Sequence, residues 1–203
     1  MDIGTKETNR TKPLKALKTG GSEMDILNEY GVKKPDKRFI ARCIRQLKEW
    51  GAPTSGWECI DVIDVKEDDW DAPYSTCELC GCSNVRYEHV MEHKDYFETI
   101  TVGCICAGIM EGDILRAKER ERKMKNRAKR KKSFIERPWS KLTRNVYQRA
   151  HRGRHIRIVD HSGSFSVYVD GQVGLVYKGK PLRDFLSAQY LAFEMADPVK
   201  EVL

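Results

Sequence analysis

Residues 77–107 read CELCGCSNVRYEHVMEHKDYFETITVGCICA, with two close thiol pairs, Cys77/Cys80 and Cys104/Cys106, at its ends. A C-x-x-C-G turn projects two thiolates from one tight bend, and Gly81 gives that bend its conformational freedom. Between the pairs, residues 85–90 and 99–102 carry strand-forming residues and are joined through His93-Lys94-Asp95-Tyr96, which predicts a hairpin. The hairpin returns the chain to the same edge, so Cys104 and Cys106 arrive where a helix begins. The free amides of that N-terminus favour thiolate charge. Four thiols so placed, Cys77, Cys80, Cys104 and Cys106, predict one tetrahedral site holding a single structural Zn2+. A site with four protein ligands is closed, hence structural rather than catalytic.

Cys82, two residues past Cys80, could stand in for either neighbouring ligand but reads as a spare thiol beside the turn, and Cys43 and Cys59 sit among apolar neighbours as small core residues. His89 and His93 are four apart. On a strand that spacing spans about 13 Å, too far for two bonds to one ion. Tyr87-x-His89-x-Met91 alternates as a strand does, so His89 is expected to bond a neighbour on the hairpin face.

Knuckle, hairpin, then ligands at a helix start is the order of a treble-clef zinc finger, and the segment from Cys77 to about Lys132 resembles that family. It departs from the family in its second pair, C-x-C instead of C-x-x-C. The segment is also similar to small uncharacterised bacterial and phage proteins with a C-x-x-C-G…G-C-x-C-A layout. That likeness implies no activity.

Outward from the thiols the chain divides by composition. Residues 1–21 read as a basic tail without an apolar core, and so not as a secretory signal. Ser22 to Gly31 suggests a short helix. Phe39, Ile40, Cys43, Ile44, Leu47 and Trp50 repeat at helical spacing, with Gly51-Ala52-Pro53 as the stop. Residues 57–65 predict a strand, followed by an acidic loop. From Ala107 to about Lys132 the pattern is a long helix with a thin apolar stripe, its distal half expected to project into solvent. Residues 134–153 read as a basic linker. Beyond it, strands over 155–159, 165–169 and 173–177, with a tight turn at Asp170-Gly171, precede a helix opened by Pro181. The expected fold is α+β, with a zinc-stapled hairpin and long helix within 22–133 and a β-β-β-α module over 154–203.

The chain has 203 residues and a net charge of +7. Leu115 to Arg154 holds 17 Lys or Arg against three Glu, a balance of +14 that leaves the remainder at −7. A basic band on an otherwise acidic chain points to a polyanionic partner, DNA or RNA. The expected phosphate contacts are Arg116, Arg120, Lys123, Arg127, Lys129, Arg130, Lys131 and Lys132 on the helix, then Lys141, Arg144, Arg149, Arg152 and Arg154. Trp139 is a candidate stacking surface or a seal between modules. Element order in the last module resembles small DNA-binding sheets of the AP2 or integrase type, which implies Arg157, Ser166 and Tyr168 on the contact face.

These features predict a cytoplasmic, non-enzymatic, zinc-containing nucleic-acid-binding protein, with neither a membrane span nor a small-molecule substrate. An adaptor or inhibitor of a nucleic-acid-handling complex is the alternative. A metal-dependent nuclease using His89 or His93 as base, with Glu92 or Asp95 on a metal, is a minor one, since no Asp-His or His-Asn signature accompanies them.

Overall fold

Helix α1 (Lys37–Glu49) begins where Asp36 accepts the Arg38 amide at 3.1 Å, and buries Cys43 and Leu47 on one face. Strands β1 (Glu58–Asp64), β2 (Tyr87–His93) and β3 (Tyr96–Val102) form an antiparallel sheet in that order. The computed structural model describes residues 35–67 and 69–199. The expected tail, the short helix from Ser22 and Asp68 lie outside the described residues.

The single long helix expected from Ala107 is two. Helix α2 (Cys104–Glu111) ends at Gly112, whose φ of +80° is left-handed, and Asp113 caps α3 (Ile114–Glu136) by accepting the Arg116 amide at 2.8 Å. Glycine after a helix and aspartate before the next are stop and start signals, so the break is local chemistry. The two helices meet closely: a Cβ on Gly108 would lie 2.5 Å from the Ile114 Cα.

The distal half of α3 does not project into solvent. Ala117, Arg120, Met124, Arg127, Lys131 and Phe134, spaced alternately three and four apart, are all buried along one stripe. Half of that stripe is cationic, which hid it from an apolar-periodicity reading. Ala117 joins the core around α1 and the thiol region, Met124 packs with Val62 and Tyr87, and Phe134 enters the C-terminal core. The helix is a spine between two sheets.

Residues 134–153 are likewise no linker. They finish α3 and supply β4 (Ser140–Thr143) and β5 (Val146–His151). These join β6 (Arg154–Asp160), β7 (Phe165–Val169) and β8 (Gln172–Gly174) in a five-stranded antiparallel meander, in place of the three strands expected. The β7–β8 turn falls at Asp170-Gly171 as the sequence predicts, both residues at positive φ. A short pair, β9 (Val176–Tyr177) and β10 (Lys180–Pro181), leads to α4 (Phe185–Ala196), capped by Asp184. Helix α4 meets the sheet through Ala188, Ala192, Phe193 and Ala196, while Leu186 faces out. The described residues all fall within one compact unit.

Candidate metal centre and basic notch

The knuckle is built by its own backbone. The Gly81 amide donates to the Cys77 carbonyl at 2.8 Å, Cys77 donates to the Cys82 carbonyl at 2.8 Å, and Gly81 takes φ +73°. Glu78 ties the turn to β3 through its amide on the Thr101 carbonyl, 3.1 Å. Across from the knuckle, α2 presents Cys106. The sulfurs of Cys77, Cys80 and Cys106 all lie within 4.8 Å of one another. Tetrahedral Zn–S bonds of about 2.3 Å put sulfurs about 3.8 Å apart, so small side-chain adjustments would seat an ion.

Cys104, expected as the fourth ligand, is not in this cluster. Positions two apart on a helix sit about 200° around its axis, so a helical C-x-C directs its thiols to opposite sides. The Cys104 thiol hydrogen-bonds the Glu121 carboxylate and is raised well above the thiol range, by burial first and by Glu121 second. Cys82 is exposed at the turn, and its amide hydrogen-bonds the Cys80 sulfur. The Cys59 thiol donates to the Asp61 carbonyl at 3.2 Å.

The electrostatics favour a thiolate at the knuckle. Cys77 is pushed down to about 5, chiefly by the hydrogen bond from Cys106, with burial opposing and the Gly103 and Cys80 amides assisting. Cys106 is raised as the donor of that bond.

His89 is fully buried on β2, its ring nitrogens 3.4 Å from the Tyr87 and Ala117 carbonyl oxygens. Burial lowers its pKa to about 4, with Arg120 adding to the effect. It bonds neighbours on the hairpin face as expected, and it is closed to solvent. His93 packs against Trp57 at 5.4 Å.

The cations of α3 fall into two sets. Arg120 pairs with Glu111 at 2.6 Å in the interior. Arg127 donates to Glu67 at 2.8 Å, to Glu194 and to the Asp197 carbonyl, and Lys131 reaches Glu67 and Glu194 at 3.0 Å each. These three are only 2%, 2% and 5% exposed, so they are removed from any outward phosphate surface. From the acidic loop after β1, Glu67 serves as an internal counter-charge, while Asp69 and Asp71 are exposed. Arg116, Lys129 and Lys132 are exposed, and Lys123 half so. Lys141, Arg144 and Arg152 are exposed beyond the helix, and Arg154 donates to the Met195 carbonyl at 3.1 Å.

Trp139 is half-buried at the margin of the C-terminal core, its ring steeply inclined to Phe134 at 5.5 Å and to Phe185 at 5.8 Å, with Arg149 5.4 Å from its centre.

Where α3 meets β5 a concavity of ≈ 340 Å³ opens, lined by Lys129, Arg130, Ser133, Arg137, Arg149 and His151 besides Phe134 and Ala150. No carboxylate lines it. Asp197 lies behind the wall, holding Arg130 at 2.6 Å, Arg152 at 3.0 Å and His151 at 3.4 Å. Arg149 stacks over Phe134 at 4.6 Å and donates to the Phe134 carbonyl; its pKa is lowered by burial and then by the charge of Arg137. Arg137, one of the cations that the sequence interleaves with Phe134, Trp139 and Tyr147, joins the notch just past the end of α3.

The notch shares Arg149 and Ala150 with a broad concavity on the sheet face away from α4, which Leu142, Val146, Gln148, Arg157 and Tyr168 also line. Arg157 and Tyr168 are register partners on this face and both are exposed. Ser166 is buried, its hydroxyl 2.8 Å from His161 Nε2.

No helix among the described residues is long and apolar enough to cross a membrane. The chain matches no family model, and no curated protein or solved structure proved similar to it.

Proposed function

We propose that this protein binds nucleic acid through phosphate, with zinc shaping its first half and the notch at the α3–β5 junction as the principal anion site. The observation that carries the reading is the convergence of Lys129, Arg130, Arg137 and Arg149 on one concavity that no carboxylate lines. Arg137 and Arg149 repel one another across it, and a bound phosphate would relieve that cost with charge-assisted bonds. The adjoining sheet face, with Tyr168 beside Arg157, supplies an apolar and aromatic surface for an unpaired base next to the anchored phosphate. Zinc suits the thiol donor set, and knuckle, hairpin and helix follow in treble-clef order with one ligand from the helix. No base-reading pattern accompanies these groups, so the reading is of backbone-directed binding.

The test is fluorescence anisotropy with single-stranded and duplex oligonucleotides of DNA and RNA across a salt series. Lys129→Ala and Arg137→Ala are each expected to weaken binding about tenfold and to reduce the salt slope by about one. Lys94→Ala, in the β2–β3 turn, is expected to change neither. Salt-independent binding, or full affinity in the Lys129→Ala/Arg137→Ala double variant, would overturn the assignment.

A further inference from the structure

We infer that Cys43, on helix α1, is the fourth thiolate of the metal site, which is therefore Cys43, Cys77, Cys80 and Cys106. This rests on the metal-binding reading and goes beyond it, because it adds a ligand from an element 34 residues upstream of the knuckle.

Six of the seven cysteines have their places without Cys43. Three form the cluster, Cys82 is exposed at the turn, Cys104 is held by Glu121, and Cys59 is held by the Asp61 carbonyl. Only Cys43 remains. It is 0% exposed and belongs to the same core cluster as Cys77 and Cys106. Its thiol is in hydrogen-bonding contact with Cys106 and within electrostatic reach of Cys77 and Cys80. Among the described residues no histidine or carboxylate joins the trio, and the Cys43 sulfur, although it contacts Cys106, also stands outside the 4.8 Å mutual distance of the three, so side-chain movement must bring it onto the ion. A tetrahedral ion held by three thiolates has one vacancy, and the thiol already touching the cluster is the donor that fills it.

Helical geometry explains why α1 can provide this ligand. Cys43 and Leu47 lie one turn apart on its buried face, and Leu47 packs into the core that also holds Cys104, Cys106 and Ala107. Four thiolates on Zn2+ carry a net charge of −2. The amides of Gly103, Cys80 and Cys82 already directed at knuckle sulfurs, and Arg42 beside Cys43, oppose that charge. The completed site is closed, and it staples α1 to the knuckle and to the start of α2.

The experiment is zinc X-ray absorption on the full-length, zinc-reconstituted protein, paired with cobalt substitution in three variants. Four sulfur ligands in the wild type are expected. In Cys43→Ser the sulfur-to-cobalt charge-transfer absorption should fall by about a quarter and affinity in a chelator competition at least about tenfold, while Cys104→Ser and Cys82→Ser keep both. A wild-type shell of three sulfurs and one lighter atom would overturn the assignment of Cys43 alone, even if Cys43→Ser fails to fold. Four sulfurs with the loss appearing in Cys82→Ser or Cys104→Ser would overturn it equally. Failure of the wild type to bind either metal would remove the metal reading itself.

Discussion

Arg127 sits 2% exposed between Glu67, Glu194 and the Asp197 carbonyl, with its guanidinium 5.0 Å over the Phe193 ring. A buried arginine is tolerable only while every charge-assisted bond is made, because an orphaned cation in the interior is costlier than an apolar side chain. Glu194→Ala would leave Arg127 and Lys131 sharing Glu67, and is expected to destabilise the protein by about 3 kcal/mol in urea unfolding. Replacing the pair together, as Arg127→Met with Glu194→Leu, should recover much of that loss. Equal costs for the single and double variants would show that the ion pair is not what matters there. The residue scale also explains the thiols. Cys104 and Cys106 differ in fate only because one helical step of two residues separates their directions.

At the scale of the element, the corner between α2 and α3 decides where the spine helix points. Gly108 and Gly112 serve it for different reasons. Gly108 is needed for space, since a Cβ there would lie 2.5 Å from the Ile114 backbone, whereas Gly112 is needed for its φ of +80° and would meet nothing within 4 Å. Gly108→Ala should cost about 2 kcal/mol or more by forcing the helices apart. Gly112→Ala should cost about 1 kcal/mol through conformation alone. Urea unfolding of the two variants tests the ranking, and a larger loss at Gly112 would contradict it. The strands β4 and β5 were hidden at this scale too. β4 is exposed throughout, and the half-buried positions of β5 include Arg149 and His151, so the alternation that marks a half-buried strand is masked by charge.

Across the whole molecule, charge is distributed so that Glu67, Glu111, Glu194 and Asp197, from separate parts of the chain, neutralise part of the basic band from within. Burial alone would raise Glu67 and Asp197, yet Lys131 and Arg127 hold Glu67 below its ordinary 4.5, and His151 and Arg130 hold Asp197 below its ordinary 3.8. Carboxylates depressed in the fold contribute stability that is present above those ordinary values and is lost as pH falls through the folded ones. His89 acts earlier: the unfolded chain takes up a proton near 6.5, which the fold refuses until about 4. Stability should therefore begin to fall below about pH 6.5, at up to about 1.4 kcal/mol per pH unit from this one group. His89→Gln should flatten that arm while leaving the steeper loss below about pH 4.5. An unchanged slope in the variant would assign the early arm to some other group.

What the amino-acid order determined by itself is local. The C-x-x-C-G knuckle, the hairpin, the amphipathic α1 and the Asp170-Gly171 turn follow from φ preferences and side-chain periodicity that a few neighbouring residues settle. Gly112-Asp113 carries the same kind of local stop and start, although the helical periodicity on either side predicts one helix running through it. Which thiols meet, which cations turn inward and which remain to line the notch were decided only by tertiary packing. Those outcomes depend on Glu67, Glu194 and Cys43 reaching α3 and the knuckle from distant parts of the chain. No local preference encodes such meetings, because they are set by how the two sheets bury their faces against a shared helix.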